Sequence, residues 1–449
     1  MRQNNIFNNL FVFDLANNHQ GDVDHGKLII NDLASKIKKH KVKGAIKFQF
    51  RQLDTFVHPD HLSNSDNKHI PRFLSTRLDK SDYSDLLSTV REKKLIAMTT
   101  PFDEESVDIA IELDFDILKI ASCSAKDWPL IEKIASAGKP VIFSTGGLTM
   151  TDIDNLVSFF QHRGVDFAIM HCISIYPTPN NMCQLNQISE LKDRFPAITI
   201  GWSTHEDQDE VAPIHIAYAK GARIFERHVG MQTDEIKLNA YSSTSDQIDK
   251  WLSAHSTAVD LCGSDVRPIS QKIELDAIDT LQRGVYARNK IKKGNIIKRN
   301  QVYFSMPYIS GQLYSGDWKE GITALNNVEP DKAITYKNTK VPVTPEYQII
   351  KNAIHEVKGI LNKAKITLGT DFKVEYSHHY GVKKFNETGC VLIDCVNREY
   401  CKKLIVQLPK QSHPLHFHER KEETFQVLHG ELYLELDGRV KKMQPGDSA

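Results

Sequence analysis

Two histidines end consecutive β-like segments in the middle of the chain. His205 follows the run AITIGWST at 197–204, and His228 lies near the end of ARIFERHV at 222–229. Consecutive strands of a parallel sheet end on the same side of the sheet, so the two imidazoles are predicted to converge. We therefore predict that both bind one divalent metal ion. Glu226 shares a strand face with His228 and could coordinate the ion, orient a ligand or accept a proton.

Polar side chains also end the β-like segments upstream. They are Asp14 and Asn17, Lys47 and Gln49, Thr100, Lys119 and Ser122, Ser144 and Thr145, His171 and Ser174, and Ser203. Two lysines among several hydroxyl groups suit a phosphorylated or carboxylated anion held beside the metal. Lysines that reach from a barrel rim into solvent are the structural alternative. A Schiff base on Lys119 is the chemical alternative, because lysine amines also activate carbonyl substrates covalently.

Eight short β-branched segments alternate with longer amphipathic segments between residues 10 and 265. The predicted strands are LFVFDLAN (10–17), GAIKFQF (44–50), KLIAMTTPF (94–102), ILKIAS (117–122), PVIFSTG (140–146), DFAIMHC (166–172), AITIGWST (197–204) and ARIFERHV (222–229). Eight βα units in about 250 residues are the size of a (β/α)8 TIM barrel. An open doubly wound sheet would need a GxGxxG turn after an early strand, and the sequence has none there. We therefore predict an α/β barrel with all these side chains at one mouth.

The pattern changes beyond the predicted barrel domain at 9–265. Residues 280–340 carry short β-like runs and a KKGN turn without a long helix, which predicts a small β-rich domain. The segment VTPEYQIIKNAIHEVKGILNKA predicts a linker helix within 341–368. The β-rich pattern returns over 369–449.

The composition argues against two classes of partner. The 57 basic and 57 acidic residues balance, so no overall field attracts nucleic acid or an anionic membrane. No apolar run is long enough to span a bilayer, and the first ten residues do not resemble a signal peptide. The seven cysteines form no CxxC pair and are odd in number. This favours a reduced, cytoplasmic protein.

An ordered set of short motifs resembles one enzyme family. NNHQGD, IKFQ, TPFD, KIAS, STGG, HCISIYPTP and ERH follow one another between residues 17 and 228. In this order they resemble the sialic acid (N-acetylneuraminate) synthases, (β/α)8 enzymes that condense phosphoenolpyruvate with an open-chain N-acetylhexosamine such as N-acetylmannosamine. The segment RGVYARNKIKKGNII resembles their antifreeze-like SAF domain. The resemblance covers about residues 9–320 and implies a nonulosonic (sialic-type) acid synthase that releases phosphate.

The resemblance also implies roles for individual residues. It assigns phosphoenolpyruvate to Lys47, Thr100, Lys119, Ser122, Ser144, Ser174 and Ser203, a metal to His205 and His228, and the sugar to Asp14, Gln49 and Tyr176. The metal of the family is usually Mn²⁺, with Mg²⁺ or Co²⁺ as alternatives. Catalysis would fall to Lys47, Lys119, Glu226 and the two histidines. A homodimer in which the SAF domain caps the neighbouring barrel is implied as well.

Several positions depart from the family pattern. Ser124 stands where an acidic group would activate water, Leu238 where an aspartate would meet the sugar, and Met306 where an arginine of the SAF domain would enter the partner's site. Asp14 is shorter than the usual acid. The phosphoenolpyruvate half is therefore retained and the sugar half is changed. Another aldose, such as a diacetamido-trideoxy hexose of the legionaminic or pseudaminic type, remains an alternative, as does a non-catalytic sugar-binding protein.

The C-terminal segment HPLHFHERKEETFQVLHG resembles the first motif of the cupins. His416 and His418 are predicted to alternate on a strand and so to share a face, and Glu423 and Gly430 follow at the usual spacing. A second motif would begin at QPGDSA, where the sequence ends. We therefore predict a partial cupin β-barrel at 369–449 with a three-ligand site for a second metal, formed by His416, His418 and Glu423.

Overall fold

The computed structural model describes residues 6–62, 66–370, 372–420 and 422–449. The chain divides into two compact units, Met1–Pro268 and Ile269–Ala449. Among the described residues, no helix is both long enough and apolar enough to cross a membrane.

The first unit is a closed barrel of eight parallel strands within the described residues. The strands are β1 (Leu10–Asp14), β2 (Lys43–Phe50), β3 (Ile96–Pro101), β4 (Ile117–Ile120), β5 (Val141–Ser144), β6 (Phe167–Cys172), β7 (Thr199–Thr204) and β8 (Ile224–His228). Each pairs with the next, and β1 closes on β8 with Asp14 opposite His228. The predicted (β/α)8 barrel is confirmed. Most predicted strands extend one to three residues too far, because their polar C-terminal residues already belong to the loops.

Helices follow the strands around the barrel. They are α1 (Val23–His40), α2 (Leu53–Phe56), α3 (Ile70–Ser75), α4 (Lys80–Glu92), α5 (Glu104–Glu112), α6 (Trp128–Ser136), α7 (Met150–His162), α8 (Asn186–Arg194), α9 (Ala212–Ala219) and α10 (Ser245–Cys262). Local capping sets several of their starts. Asp103 accepts the Ser106 N–H at the start of α5, and Thr244 and Gln247 form a capping box at the start of α10.

Side chains alternate along each strand between a core against the helices and an apolar layer inside the barrel. On β1, Phe11 and Phe13 pack outward against the helices, whereas Leu10 and Val12 belong to the apolar layer inside the barrel. Asp14 is the next residue in the inward series. The same alternation places these residues in the lumen or at its mouth: Lys47 and Gln49, Thr100, Lys119, Ser144, Cys172, Ser203 and His205, and Glu226 and His228. A closed apolar floor thus lies beneath a polar mouth at the C-terminal ends of the strands.

The second unit is rich in short antiparallel strands. Its elements are α11 (Lys272–Asp279), β9 (Gly284–Ala287), β10 (Val302–Ser305), β11 (Thr323–Ala324), β12 (Thr339–Lys340), α12 (Glu346–Lys363), β13 (Lys373–Ser377), β14 (Cys390–Asn397), β15 (Cys401–Val406), β16 (Leu432–Leu436) and β17 (Arg439–Met443). One apolar core spans Val285 to Ile334, and another joins α12 to β14 and β15. Helix α12 lies within the predicted linker segment, and it packs with the strands that follow it.

One local prediction in the second unit is wrong. Residues 413–420 do not form a strand, so His416 and His418 do not alternate on one. Pro414 lies at the start of this segment and has no N–H group to donate to a strand ladder. The two histidines are nevertheless brought together by a loop.

Candidate active site

Glu226 lies at the centre of a buried group of opposite charges. Its Oε1 is 3.2 Å from Lys47 Nζ, and its Oε2 is 2.6 Å from Lys119 Nζ. Asp14 Oδ2 lies 2.8 Å from Lys47 Nζ. The Ser203 hydroxyl donates to Glu226 Oε1 at 3.0 Å. Strands β1, β2, β4, β7 and β8 therefore meet in one network inside the mouth of the barrel.

Burial and charge act against each other in this network. Burial raises the pKa of Glu226, but the ammonium groups of Lys119 and Lys47 outweigh it and hold that pKa well below its usual range. Burial also lowers the pKa of Lys47, but the carboxylates of Asp14 and Glu226 outweigh it, so the pKa of Lys47 is raised. For Lys119 burial prevails, and the pKa is lowered. Lys119 is thus the better proton donor of the two lysines.

His205 and His228 face each other with ring centroids 5.4 Å apart. His205 Nδ1 lies 3.0 Å from the carbonyl oxygen of Ile173, which can only accept a hydrogen bond, so Nε2 of His205 keeps its lone pair. His228 Nδ1 lies 3.5 Å from Asp14 Oδ2. Burial lowers the pKa of His228 against the opposing effect of Asp14, which favours the neutral, metal-binding imidazole. The donor atoms therefore fit a divalent cation.

Two tyrosines line the histidine pair. The Tyr176 ring centroid is 4.2 Å from that of His205, and the Tyr241 ring centroid is 5.4 Å from that of His228. The two tyrosine rings are 5.2 Å apart. Tyr176 is about half exposed, at 51%. Aromatic walls of this kind contact the apolar faces of sugars, and the sugar contact of Tyr176 stays a prediction.

The hydroxyl groups predicted to bind an anion surround Gly146, in the loop after β5. The Gly146 N–H donates to Ser122 Oγ at 3.1 Å. A Cβ atom on Gly146 would lie 2.3 Å from Ser174 Oγ and 2.7 Å from Ser122 Oγ, so any larger residue would displace both hydroxyl groups. Ser144 is buried at the end of β5, and the buried Thr100 hydroxyl has no hydrogen-bond partner among the described residues. These groups form a polar cradle next to the lysines.

Two of the residues predicted to meet the sugar, Asp14 and Gln49, form a hydrogen-bonded chain with Arg51. Gln49 Nε2 donates to Asp14 Oδ2 at 3.2 Å, and Arg51 Nη2 donates to Gln49 Oε1 at 3.1 Å. Asp14 also contacts Lys47 and His228, as described above. It therefore links the predicted metal site, the lysine pair and the sugar side of the mouth, whereas the sequence had assigned it only to the sugar.

Three of the four departures from the family pattern take different positions. Ser124 is buried in the short 3-10 turn Ser122–Ser124 after β4. Leu238 is half-buried, and its Cδ2 lies 2.6 Å from where a Cβ on Gly230 would be. Met306 follows β10 in the second unit and is 55% exposed. The homodimer with an exchanged SAF domain stays a prediction.

A second cluster of candidate metal ligands lies in the C-terminal region. His416, His418 and Glu423 are exposed, and each offers a ligand atom within 4.8 Å of the others. The Pro414 carbonyl oxygen is 3.1 Å from His416 Nδ1, which leaves the His416 Nε2 lone pair for a metal. The structure thus brings the predicted cupin ligands together, and a metal there stays a prediction.

Comparison with known proteins identifies the family. The NeuB family model matches residues 35–266, about half of the chain, and a cupin domain model matches residues 404–449. The chain belongs to the NeuB family. This confirms the family predicted from the motifs, and it supports the cupin assignment. The SAF assignment of residues 280–340 stays a prediction.

Several proteins are similar to this NeuB-family chain over most of their length. An uncharacterized protein of Methanocaldococcus jannaschii is 30% identical over 292 residues, which cover 65% of this chain and 82% of that protein. The N,N'-diacetyllegionaminic acid synthase of Campylobacter jejuni is 26% identical over 345 residues, which cover 74% of this chain and 97% of that enzyme. The crystal structure of a putative spore coat polysaccharide biosynthesis protein E from Chromobacterium violaceum has a TM-score of 0.72 at 38% identity, over 74% of this chain and 99% of that one.

Sequence reasoning on this NeuB-family chain missed three side chains at the mouth. Arg51 lies next to Gln49, Arg72 Nη2 donates to Asn18 Oδ1 at 3.2 Å, and Tyr241 lies beside His228. Strand alternation could have found Arg51, because it continues the inward series of Lys47 and Gln49. The other two lie on helix α3 and in the loop after β8, where no periodic signal points to the mouth.

Proposed function

We propose that the barrel condenses phosphoenolpyruvate with an open-chain N-acylated hexose to give a nonulosonic (sialic-type) acid and inorganic phosphate. The observation that carries this proposal is the Glu226 carboxylate, which joins Lys47 and Lys119 in the mouth that also holds the His205 and His228 pair. An anion site with two ammonium groups beside two imidazoles suits an anionic enol donor next to a metal-bound carbonyl acceptor. The similarity to a legionaminic acid synthase over nearly its whole length supports the same reaction class.

The proposed reaction balances without an added oxidant or reductant. A carbon–carbon bond forms between C3 of phosphoenolpyruvate and the aldehyde carbon, whose oxygen takes a proton. Water adds at C2, the bond between C2 and the phosphate oxygen breaks, and inorganic phosphate leaves. C2 becomes the ketone carbon of the product.

The residues of the mouth have separate roles in this reaction. Lys47 and Lys119 bind the phosphate and carboxylate of the donor, with the hydroxyl groups around Gly146 completing the cradle. We assign the proton of the departing phosphate to Lys119, because burial makes it the better donor. The water proton passes to the Asp14 carboxylate, since Ser124 offers none and the two lysines hold the pKa of Glu226 too low for a general base. A metal ion held by His205 and His228 would supply Lewis acidity at the aldehyde.

Phosphate release tests the proposal directly. The protein is incubated with phosphoenolpyruvate and Mn²⁺, and with N-acetylmannosamine, mannose or a diacetamido-trideoxy hexose in turn. We expect release with at least one acceptor, and loss of release in His228→Ala and on chelation. His215→Ala is the matched control, because His215 lies on α9 and its one side-chain hydrogen bond to a described residue is with the Val211 carbonyl. If no acceptor gives phosphate release and the protein binds no metal, the non-catalytic sugar-binding alternative is favoured.

A further inference from the structure

Arg51 is a half-buried cation without a carboxylate partner among the described residues. Its guanidinium lies between two phenyl rings, 3.6 Å from the centroid of Phe102 and 4.1 Å from that of Phe73. Its only hydrogen bond among the described residues goes from Nη2 to Gln49 Oε1, and it forms no salt bridge with any of them. Four of its five N–H donors are thus without an acceptor in the part of the chain that the structure describes.

The carboxylates nearest to Arg51 are hydrogen-bonded to other groups. Asp103 accepts the backbone N–H groups of Gln52 and Ser106, and Asp14 is bound to Lys47 and Gln49. Arginine with its planar edge unpaired matches the two oxygens of a carboxylate or a phosphate. Burial lowers the pKa of Arg51 to about 10, and a bound anion would offset that effect.

The position of Arg51 directly after β2 indicates which part of a bound ligand it would contact. Lys47, Gln49 and Arg51 leave the same face of β2 and its extension at steps of roughly 7 Å. Lys47 belongs to the charged network beside the histidines, so Arg51 lies at the outer end of the series. A second arginine without a salt bridge among the described residues, Arg72, lies on α3 directly before Phe73. The acceptor side of the mouth therefore carries positive charge that the protein does not neutralise.

We propose that Arg51 binds an anionic group, a carboxylate or a phosphate, at the end of the acceptor sugar remote from its aldehyde. The proposal rests on the proposed function for the orientation of the acceptor. It makes Arg51 a determinant of substrate class, since a neutral acceptor leaves its N–H groups unpaired. The two phenyl rings fix the guanidinium plane in advance, so that little side-chain freedom is lost on binding.

Competition between matched acceptors tests the inference. N-acetylmannosamine, its 6-phosphate and N-acetylmannosaminuronic acid are compared by phosphate release and by calorimetric binding to the full chain. We expect the wild type to prefer one anionic acceptor over the neutral sugar by on the order of 10- to 100-fold in kcat/KM and in affinity. In Arg51→Gln that ratio falls to near one, Arg51→Lys keeps part of it, and Arg77→Gln, an exposed arginine paired with Asp54, leaves it intact.

The outcomes separate the inference from the proposed function. Equal or better use of the neutral sugar by the wild type would overturn the inference and leave the synthase reaction standing. Binding of an anionic sugar that depends on Arg51, without phosphate release, would support the inference and count against the reaction. An anionic preference that survives in Arg51→Gln would also overturn the inference.

Discussion

Lys119 Nζ lies 2.6 Å from Glu226 Oε2, and both side chains are almost completely buried. The pair joins β4 to β8 across the lumen of the barrel. Glu226 also contacts Lys47, which pairs with Asp14 as well, so Glu226 is shared between two buried ammonium groups. The charges that we assign to donor binding are therefore also part of the structural core of the mouth.

Replacing Glu226 by glutamine should weaken both the fold and the reaction. The amide keeps the shape but leaves Lys119 without its counter-charge, and breaking a buried pair in this way costs about 3–5 kcal/mol. Urea denaturation should show a loss of this size in the free energy of unfolding, and phosphate release should fall at least about 100-fold. Glu190→Gln, on the exposed face of α8, is the control. A loss below about 1 kcal/mol in Glu226→Gln would show that the network does not stabilise the barrel.

Asp14→Asn should weaken metal binding in the barrel without removing a proposed ligand. Asp14 Oδ2 lies 3.5 Å from His228 Nδ1 and favours the tautomer whose Nε2 faces the metal. Loss of such a supporting carboxylate lowers metal affinity about 10- to 100-fold. Mn²⁺ titration followed by electron paramagnetic resonance measures the effect. Asp24→Asn, exposed in the first turn of α1, is the control. Unchanged affinity in Asp14→Asn would place the metal away from His228.

His255→Phe should stabilise the protein more at low pH than at neutral pH. The ring centroid of His255 lies 4.8 Å from that of Phe11 and 4.9 Å from that of Phe225. Burial lowers the pKa of His255 from 6.5 to about 4. The folded state therefore binds fewer protons than the unfolded state between these values, and stability is lost as pH falls below 6.5. At pH 5 this loss is about 2 kcal/mol.

The comparison needs two pH values for the same two proteins. Urea denaturation of wild type and His255→Phe at pH 5.0 and pH 7.5 gives four free energies of unfolding. The stability difference between the proteins should be larger at pH 5.0 by about 2 kcal/mol. An equal difference at both values would mean that His255 titrates normally in the folded state.

Strand alternation explains why much of the mouth was predictable. Lys47, Lys119, Glu226 and His228 each belong to an inward series that begins with apolar lumen residues such as Ala45, Ile117 and Ile224. Once the barrel was inferred, their convergence followed from its geometry. Charge pairing was not predictable, because strand order alone does not say that Glu226 lies between two lysines.

The errors and omissions lie beyond the ends of the barrel strands. Arg51 follows the predicted end of β2, and its burial depends on Phe73, which comes from a separate short helix. Tyr241 lies in a loop whose path is set by tertiary contacts. The strand predicted around His416 does not form next to Pro414, although His416, His418 and Glu423 still lie close together. Loop positions depend on long-range packing, which local sequence patterns do not encode.

Metal in the C-terminal cluster should depend on His418 and be independent of the barrel. In a His228→Ala background the barrel site is disabled, so the metal that remains reports on His416, His418 and Glu423. Adding His418→Ala should remove about one equivalent of Zn²⁺ or Co²⁺, because a site of three protein ligands cannot spare one. Plasma emission spectrometry after dialysis measures the content. His429→Ala, exposed nearby, is the control. Equal metal in both double variants would show that this cluster binds no ion.

Gly146→Ala should damage donor binding while leaving the barrel folded. The added Cβ would lie 2.3 Å from Ser174 Oγ and 2.7 Å from Ser122 Oγ, closer than real Cβ atoms approach other groups. Both hydroxyl groups must therefore move, and the proposed anion cradle is disturbed at two points. We expect the KM for phosphoenolpyruvate to rise by on the order of tenfold or more, with a smaller change for the sugar. Gly359→Ala, on α12 with no atom within 4 Å of the new Cβ, should leave both constants unchanged. If Gly146→Ala raises the KM of the sugar alone, the cradle belongs to the acceptor, and the donor must bind elsewhere in the mouth.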